Sequence, residues 1–164
     1  MKITIRLVVS LVLVLALVAV VFSFYQVREE RARLTSDLER RSIILAESIQ
    51  ESVTPLITSD SPERLKLLVQ RFGIREKFQG IAVHNARGRL LASTADLEPQ
   101  ISGSGPQVVH VLAEGYPAAS FIHAAKRRIY LYTSPLLLEE KTIGVLTLFN
   151  DASYIDVRLE EIWR

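Results

Sequence analysis

Nineteen consecutive residues, Leu7 to Tyr25 (LVVSLVLVLALVAVVFSFY), carry no charge, and only Ser10 and Ser23 among them are polar. At about 1.5 Å rise per residue, a helix of this length reaches ~28 Å, close to the ~30 Å hydrocarbon core of a bilayer. A cleavable signal peptide is the competing reading, with Val21-Phe22-Ser23 as a small-residue cleavage site. Signal h-regions usually stop at about 7–15 apolar residues, so the length favours a retained transmembrane helix over residues 7–25. Residues 1–6 form a flank holding Lys2 and Arg6 and no acid, whereas Arg28, Arg31 and Arg33 after the span are mixed with Glu29 and Glu30. The basic bias puts the N-terminus in the cytoplasm and residues 26–164 outside.

That flank also accounts for the formal net charge of +2 and the pI near 9.0. Removing Lys2 and Arg6 from the 20 basic residues leaves 18 against 18 acids. The balanced remainder offers no cationic surface for phosphates, which argues against nucleic acid as a partner. With no cysteine, disulfide frameworks, thiolate metal sites and cysteine nucleophiles are excluded. A chain of 164 residues holds one ordinary domain plus an accessory segment.

Residues 26–57 read as one long helix, a stalk or packing element. Leu34, Leu38, Leu45, Ile49, Val53 and Leu56 recur at helical spacings, with Ser42 filling the gap, and Pro55 is expected to end or kink it near Val53. The stripe fits either packing on its own domain or pairing with a second copy. In the latter case Leu34, Leu38, Leu45 and Ile49 set a homodimer interface. Ser61-Pro62-Glu63 starts a second helix, with Leu65, Leu68, Val69 and Phe72 on one face and Gly73 as its stop. Ile81–His84 and Arg89–Thr94 flank an Asn85-Ala86-Arg87-Gly88 turn and predict a hairpin. The Pro-, Gly- and Ser-rich stretch from Asp96 to Gly105 reads as a loop. Pro106 then opens a short helix with Val108, Val109 and Leu112 on one side, closed by Gly115.

Three strands follow, about Ala118–Ala125, Arg128–Leu138 and Thr142–Asn150. The last is apolar on both faces and is expected at the centre of the sheet. The middle strand puts Arg128, Tyr130 and Tyr132 on one face and Ile129 and Leu131 on the other, which predicts one packed and one amphipathic sheet face. Asp151 or Ser153 caps a closing helix, residues 151–164. Trp163 and Arg164 suit the headgroup level, so a second span beyond is expected.

This order of elements resembles the extracytoplasmic PAS-like, single Cache, sensor domains of bacterial transmembrane receptors. The resemblance implies an α+β fold: a five-stranded antiparallel sheet lying on the long helix, small ligands on the opposite side, and a closing helix leading to a second span and a HAMP linker. It assigns residues 58–150 to the sensor domain and places the chain in a bacterial inner membrane. More narrowly, Asp37–Glu51, Ile81–Leu91 and Asp151–Asp156 resemble the N-terminal extension of membrane-tethered bacterial trehalose-6-phosphate synthases. That likeness implies a HAMP linker and a glucosyltransferase behind the sensor, and no catalytic residue within these 164 positions.

No constellation for catalysis or metal stands out. His84, His110 and His123 are far apart in sequence and read as structural histidines. Ser93, Ser120 and Ser134 lack a nucleophile-elbow context. The paired acids Glu29-Glu30, Glu139-Glu140 and Glu160-Glu161 point apart. Gly103-Ser104-Gly105-Pro106 lacks the strand and Lys of a phosphate loop and reads as a linker turn. No cofactor is expected. The one constellation with ligand chemistry is Arg128, Tyr130 and Tyr132, with His123 on the neighbouring strand: a guanidinium fork and amphipathic rings suited to a small anion. The competing reading has Arg and Tyr merely covering apolar neighbours. Two functions follow: a membrane-anchored sensory input domain, or a membrane-tethered interaction module with no small-molecule ligand. A small membrane enzyme ranks well behind both.

Overall fold

The computed structural model describes residues 2–72, 78–94, 97–124 and 127–155; the side chains of residues 2–10, 24, 27, 30, 31, 78 and 98–100 are not described. Helix α1 runs unbroken from Lys2 to Thr58. Pro55 does not end it near Val53, a correction to the sequence expectation. Proline removes the bond its own nitrogen would give and crowds the carbonyl one turn back, and packing outweighs this in the last turn: Val53 is buried, and Leu56 and Ile57 lie against the same cluster. The helix closes when the Ser59 and Ser61 amides donate to the Pro55 and Leu56 carbonyls, at 3.0 and 3.2 Å. Helix α2, Pro62–Phe72, follows with proline at its first position, Glu63 in its first turn and Leu65 and Val69 buried. The expected Gly73 stop lies outside the described residues.

Strands β1 (Phe78–Asn85), β2 (Leu90–Ser93), β3 (Ala118–Ala124), β4 (Arg127–Leu138) and β5 (Lys141–Asp151) form one sheet in the order β2-β1-β5-β4-β3, every pair antiparallel. β5 takes the central place its two apolar faces require. The first hairpin turns as its sequence dictates. Asn85 Oδ1 accepts the amides of Arg87 and Arg89 at 2.9 Å, and Gly88 adopts a left-handed φ of 73°. β1 approaches β5 so closely that a Cβ at Gly144 would collide with the His84 carbonyl. Pro135 is tolerated in β4 because β3 stops pairing at Thr133, leaving the proline with no ladder partner on that side.

Helix α3, Glu98–Glu114, corrects a second expectation. Its first half occupies the stretch read as a loop, so Gly103-Ser104-Gly105-Pro106 lies inside a helix and not in a linker turn. Tertiary contacts override the poor propensity. Leu97 and Ile101 pack against Ile129, Leu131 and Phe149, and fully buried Ser104 donates to the Ile101 carbonyl at 2.8 Å. Val108 and Val111 are buried, whereas Val109, expected on the packed side, is 65% exposed.

The sheet is therefore covered on both sides. α1 and α2 lie over Ile81, Val83, Tyr130, Tyr132, Leu136, Leu146 and Leu148; α3 lies over Ala82, Ile129, Leu131 and Phe149. The expected amphipathic face does not exist, because α1 covers it. Of the closing helix, Ser153–Ile155 are helical, with the Asp151 carboxylate accepting the Ser153 amide at 2.8 Å; residues 156–164 lie outside the described residues. Among the described residues no helix is long and apolar enough to cross a membrane. The side chains of residues 7–10 and 24 in the expected span are not described.

Candidate functional site

Register assembles the four candidate ligand residues. In the β3–β4 ladder His123 lies opposite Arg128, Phe121 opposite Tyr130 and Ala119 opposite Tyr132, so all share the face turned to α1. The Arg128 guanidinium stacks 4.3 Å from the Phe121 ring centre. Phe121 meets Tyr130 edge-on, with centroids 5.1 Å apart and a 61° interplanar angle. These contacts link a cation, a ring and a phenol in series toward α1. Tyr130 and Tyr132 are only 2% and 7% exposed and belong to the α1-side core. Burial, followed by the nearby charge of Glu39 and by Tyr132, pushes the Tyr130 phenol up to about 12. Burial also raises Tyr132, with Glu47 and then Glu39 adding to it. Both phenols lie buried under α1, and among the four candidate residues Arg128 and exposed His123 reach the margin of the face.

The positions expected to join two copies are engaged within one. Leu38 is 8% and Ile49 0% exposed, packed with Ala46 and Val53 on their own sheet, and Leu34 and Leu45 lie partly buried against the same cluster. This stripe packs on its own domain. A polar contact fixes its register: Asn150 donates to Ser42 Oγ at 3.1 Å, while Ser42 donates to the Leu38 carbonyl at 2.7 Å. The strand that leads out of the domain is thereby tied to the helix that leads in.

Sequence reasoning missed the polar row under α3. Thr133 and Thr147, both fully buried, lie opposite each other on β4 and β5, the Thr133 hydroxyl donating to that of Thr147 at 3.3 Å. His84 shares this face, 5% exposed, and burial lowers its pKa. The signal was present as polar residues inside otherwise apolar strands, but their pairing depends on register. Among the described residues no group of three or more His, Asp or Glu side chains is placed to hold a metal.

No family model and no curated protein matches this sequence. Solved structures do. The sensor domain of the Vibrio cholerae histidine kinase DctB matches with a TM-score of 0.53 at 17% identity, over 85% of this chain and 61% of that chain. The sensor domain of Escherichia coli DcuS matches with a TM-score of 0.46 at 16% identity, over 60% of this chain and 76% of that one. The PAS domain of Bordetella pertussis BvgS matches with a TM-score of 0.40 at 16% identity, over 63% and 96% respectively. The DctB likeness establishes the fold: a PAS-like sheet with flanking helices, of which this chain spans less than two thirds of the matched length.

Proposed function

We propose that this chain is the extracytoplasmic signal-input domain of a bacterial membrane receptor, anchored by its N-terminal helix. One observation carries the reading. A single unbroken helix is apolar and 55–65% exposed at every large side chain from Leu11 to Phe22, yet buries Leu38, Ile49 and Val53 in a PAS-like core. A long apolar surface open on all sides of a helix calls for a non-aqueous surround. The basic flank gives the orientation, N-terminus in the cytoplasm.

Input is read as a change in how the sheet sits on α1, since a ligand acts only by preferring one of two arrangements. A small anion recruited by Arg128 and His123 competes with the Phe121 stack, and the Phe121–Tyr130 contact carries the change to α1. The output is proposed to follow through a second span and a HAMP linker. The finer identification, a trehalose-6-phosphate synthase behind it, is supported only by the three resembling segments.

Two measurements test the proposal. The full chain should require detergent for release from bacterial membranes, and recovery from the aqueous fraction would overturn the anchor. Thermal-shift screening of the detergent-solubilised chain against organic acids should find stabilisation that Arg128→Ala abolishes. Stabilisation by none of them would instead favour the tethered interaction module.

A further inference from the structure

Among the described residues, His84 is the one buried ionisable side chain on the sheet face covered by α3. It stands in β1 opposite Val145 of β5 and Leu90 of β2. It is 5% exposed, and its Nδ1 has no hydrogen-bond partner among the described residues. The described charged and titratable groups of the surrounding helix and hairpins lie at the surface. Arg87 and Arg89 of the first hairpin, His110 and Glu114 of α3, and Glu139, Glu140 and Lys141 around the second hairpin are all exposed. No described carboxylate is buried beside the imidazole to accept its charge. An imidazolium here would need water, and water can enter by two routes. Opening β1 from its neighbours breaks ladder hydrogen bonds on both sides. Lifting α3 breaks side-chain packing and the smaller polar tie to β3, where Gln107 donates to the Ala118 carbonyl at 2.7 Å and accepts the Ser120 hydroxyl, and that helix carries Gly103, Gly105 and Pro106, all poor helix formers, in its middle.

We infer that His84 is an acid-operated release for α3: a proton taken from solvent onto Nδ1 lifts the helix from the sheet and makes the domain responsive to external pH. Burial keeps the imidazole neutral in the closed state, with its pKa below the ordinary 6.5. The closed state is therefore fully favoured above that value and loses ground as pH falls below it. The release draws on the sensory reading only for its purpose; the opening itself requires neither ligand nor anchor.

Hydrogen exchange on the full chain in lipid nanodiscs, corrected for the chemical exchange rate, tests this at about pH 7.5 and about pH 5. Amides of residues 101–112 should lose protection by up to about tenfold per pH unit below 6.5, while those of residues 42–53 in α1 keep theirs. His84→Leu and His84→Gln, neutral at both pH values, should each abolish the loss. Unchanged α3 protection in the wild type, an equal loss in both variants, or a parallel loss in α1 would each overturn the release. None of these outcomes bears on membrane extraction or acid binding, so the two proposals fail separately.

Discussion

Tyr130 shows how a residue chosen for its chemistry becomes structural through its neighbours. Sequence period puts it on one face with Arg128 and Tyr132, and register adds Phe121 and His123, but only the fold reveals that α1 covers that face. Its phenol, held up to about 12, ionises near 10 in an unfolded chain. The neutral form is thus favoured in the folded state. Its contribution is complete below pH 10 and is lost as pH rises toward 12. Urea denaturation should show stability falling by roughly 2 kcal/mol across that window, and Tyr130→Phe should flatten much of the decline. Leu38 makes the same point for the helix. Truncating it to alanine should cost about 2–3 kcal/mol with no change in oligomeric state, whereas alanine at Ile44, 59% exposed, should change stability by less than about 0.5 kcal/mol. A drop in mass on Leu38→Ala by light scattering would instead support the interface reading.

Among the elements, those read well from sequence have local chemistry that agrees with their tertiary setting. Ser61-Pro62-Glu63 starts α2, Asn85 to Gly88 turns the first hairpin, and the two-faced apolar run of β5 demands the centre of the sheet. The misread elements oppose their own propensity. α3 winds through two glycines and a proline because Leu97, Ile101 and Ser104 gain burial there, and that gain depends on strands far along the chain. Pro55 lies inside α1 for the same reason. The site followed this division: shared faces were legible, whereas cover by α1 and the buried Thr133–Thr147 pair were not. The β4–β5 hairpin retains a local conflict that can be removed. Glu139 and Glu140 both take left-handed φ, 49° and 65°, in a two-residue turn that favours Asn-Gly. Glu140→Gly should raise stability by about 1 kcal/mol in urea denaturation, the strain relieved outweighing the added freedom of the unfolded chain.

At the scale of the whole molecule, α1 is at once apolar rod, connecting stalk and half of the core. Arg28, Glu29, Ala32 and Arg33 are exposed, Glu29 and Arg33 pairing across one turn at 2.6 Å, and Leu34 is partly buried. Motion of the sheet against Leu38 and Ser42 therefore reaches the apolar end only through the rigidity of that short exposed stretch. Spin labels at Arg28 and Ser52, 24 positions apart, should give one narrow distance near 36 Å in the intact helix. Ala32→Pro touches no core side chain, so it should leave the urea midpoint of the domain almost unchanged while broadening that distance distribution. If the chain is the signal-input domain proposed above and α1 carries the signal, the same substitution in the proposed receptor should abolish the response without weakening the proposed acid binding. A proposed receptor that still responds with α1 broken at residue 32 would overturn that route and favour passage of the proposed signal through the closing segment, by way of Asn150 and Asp151.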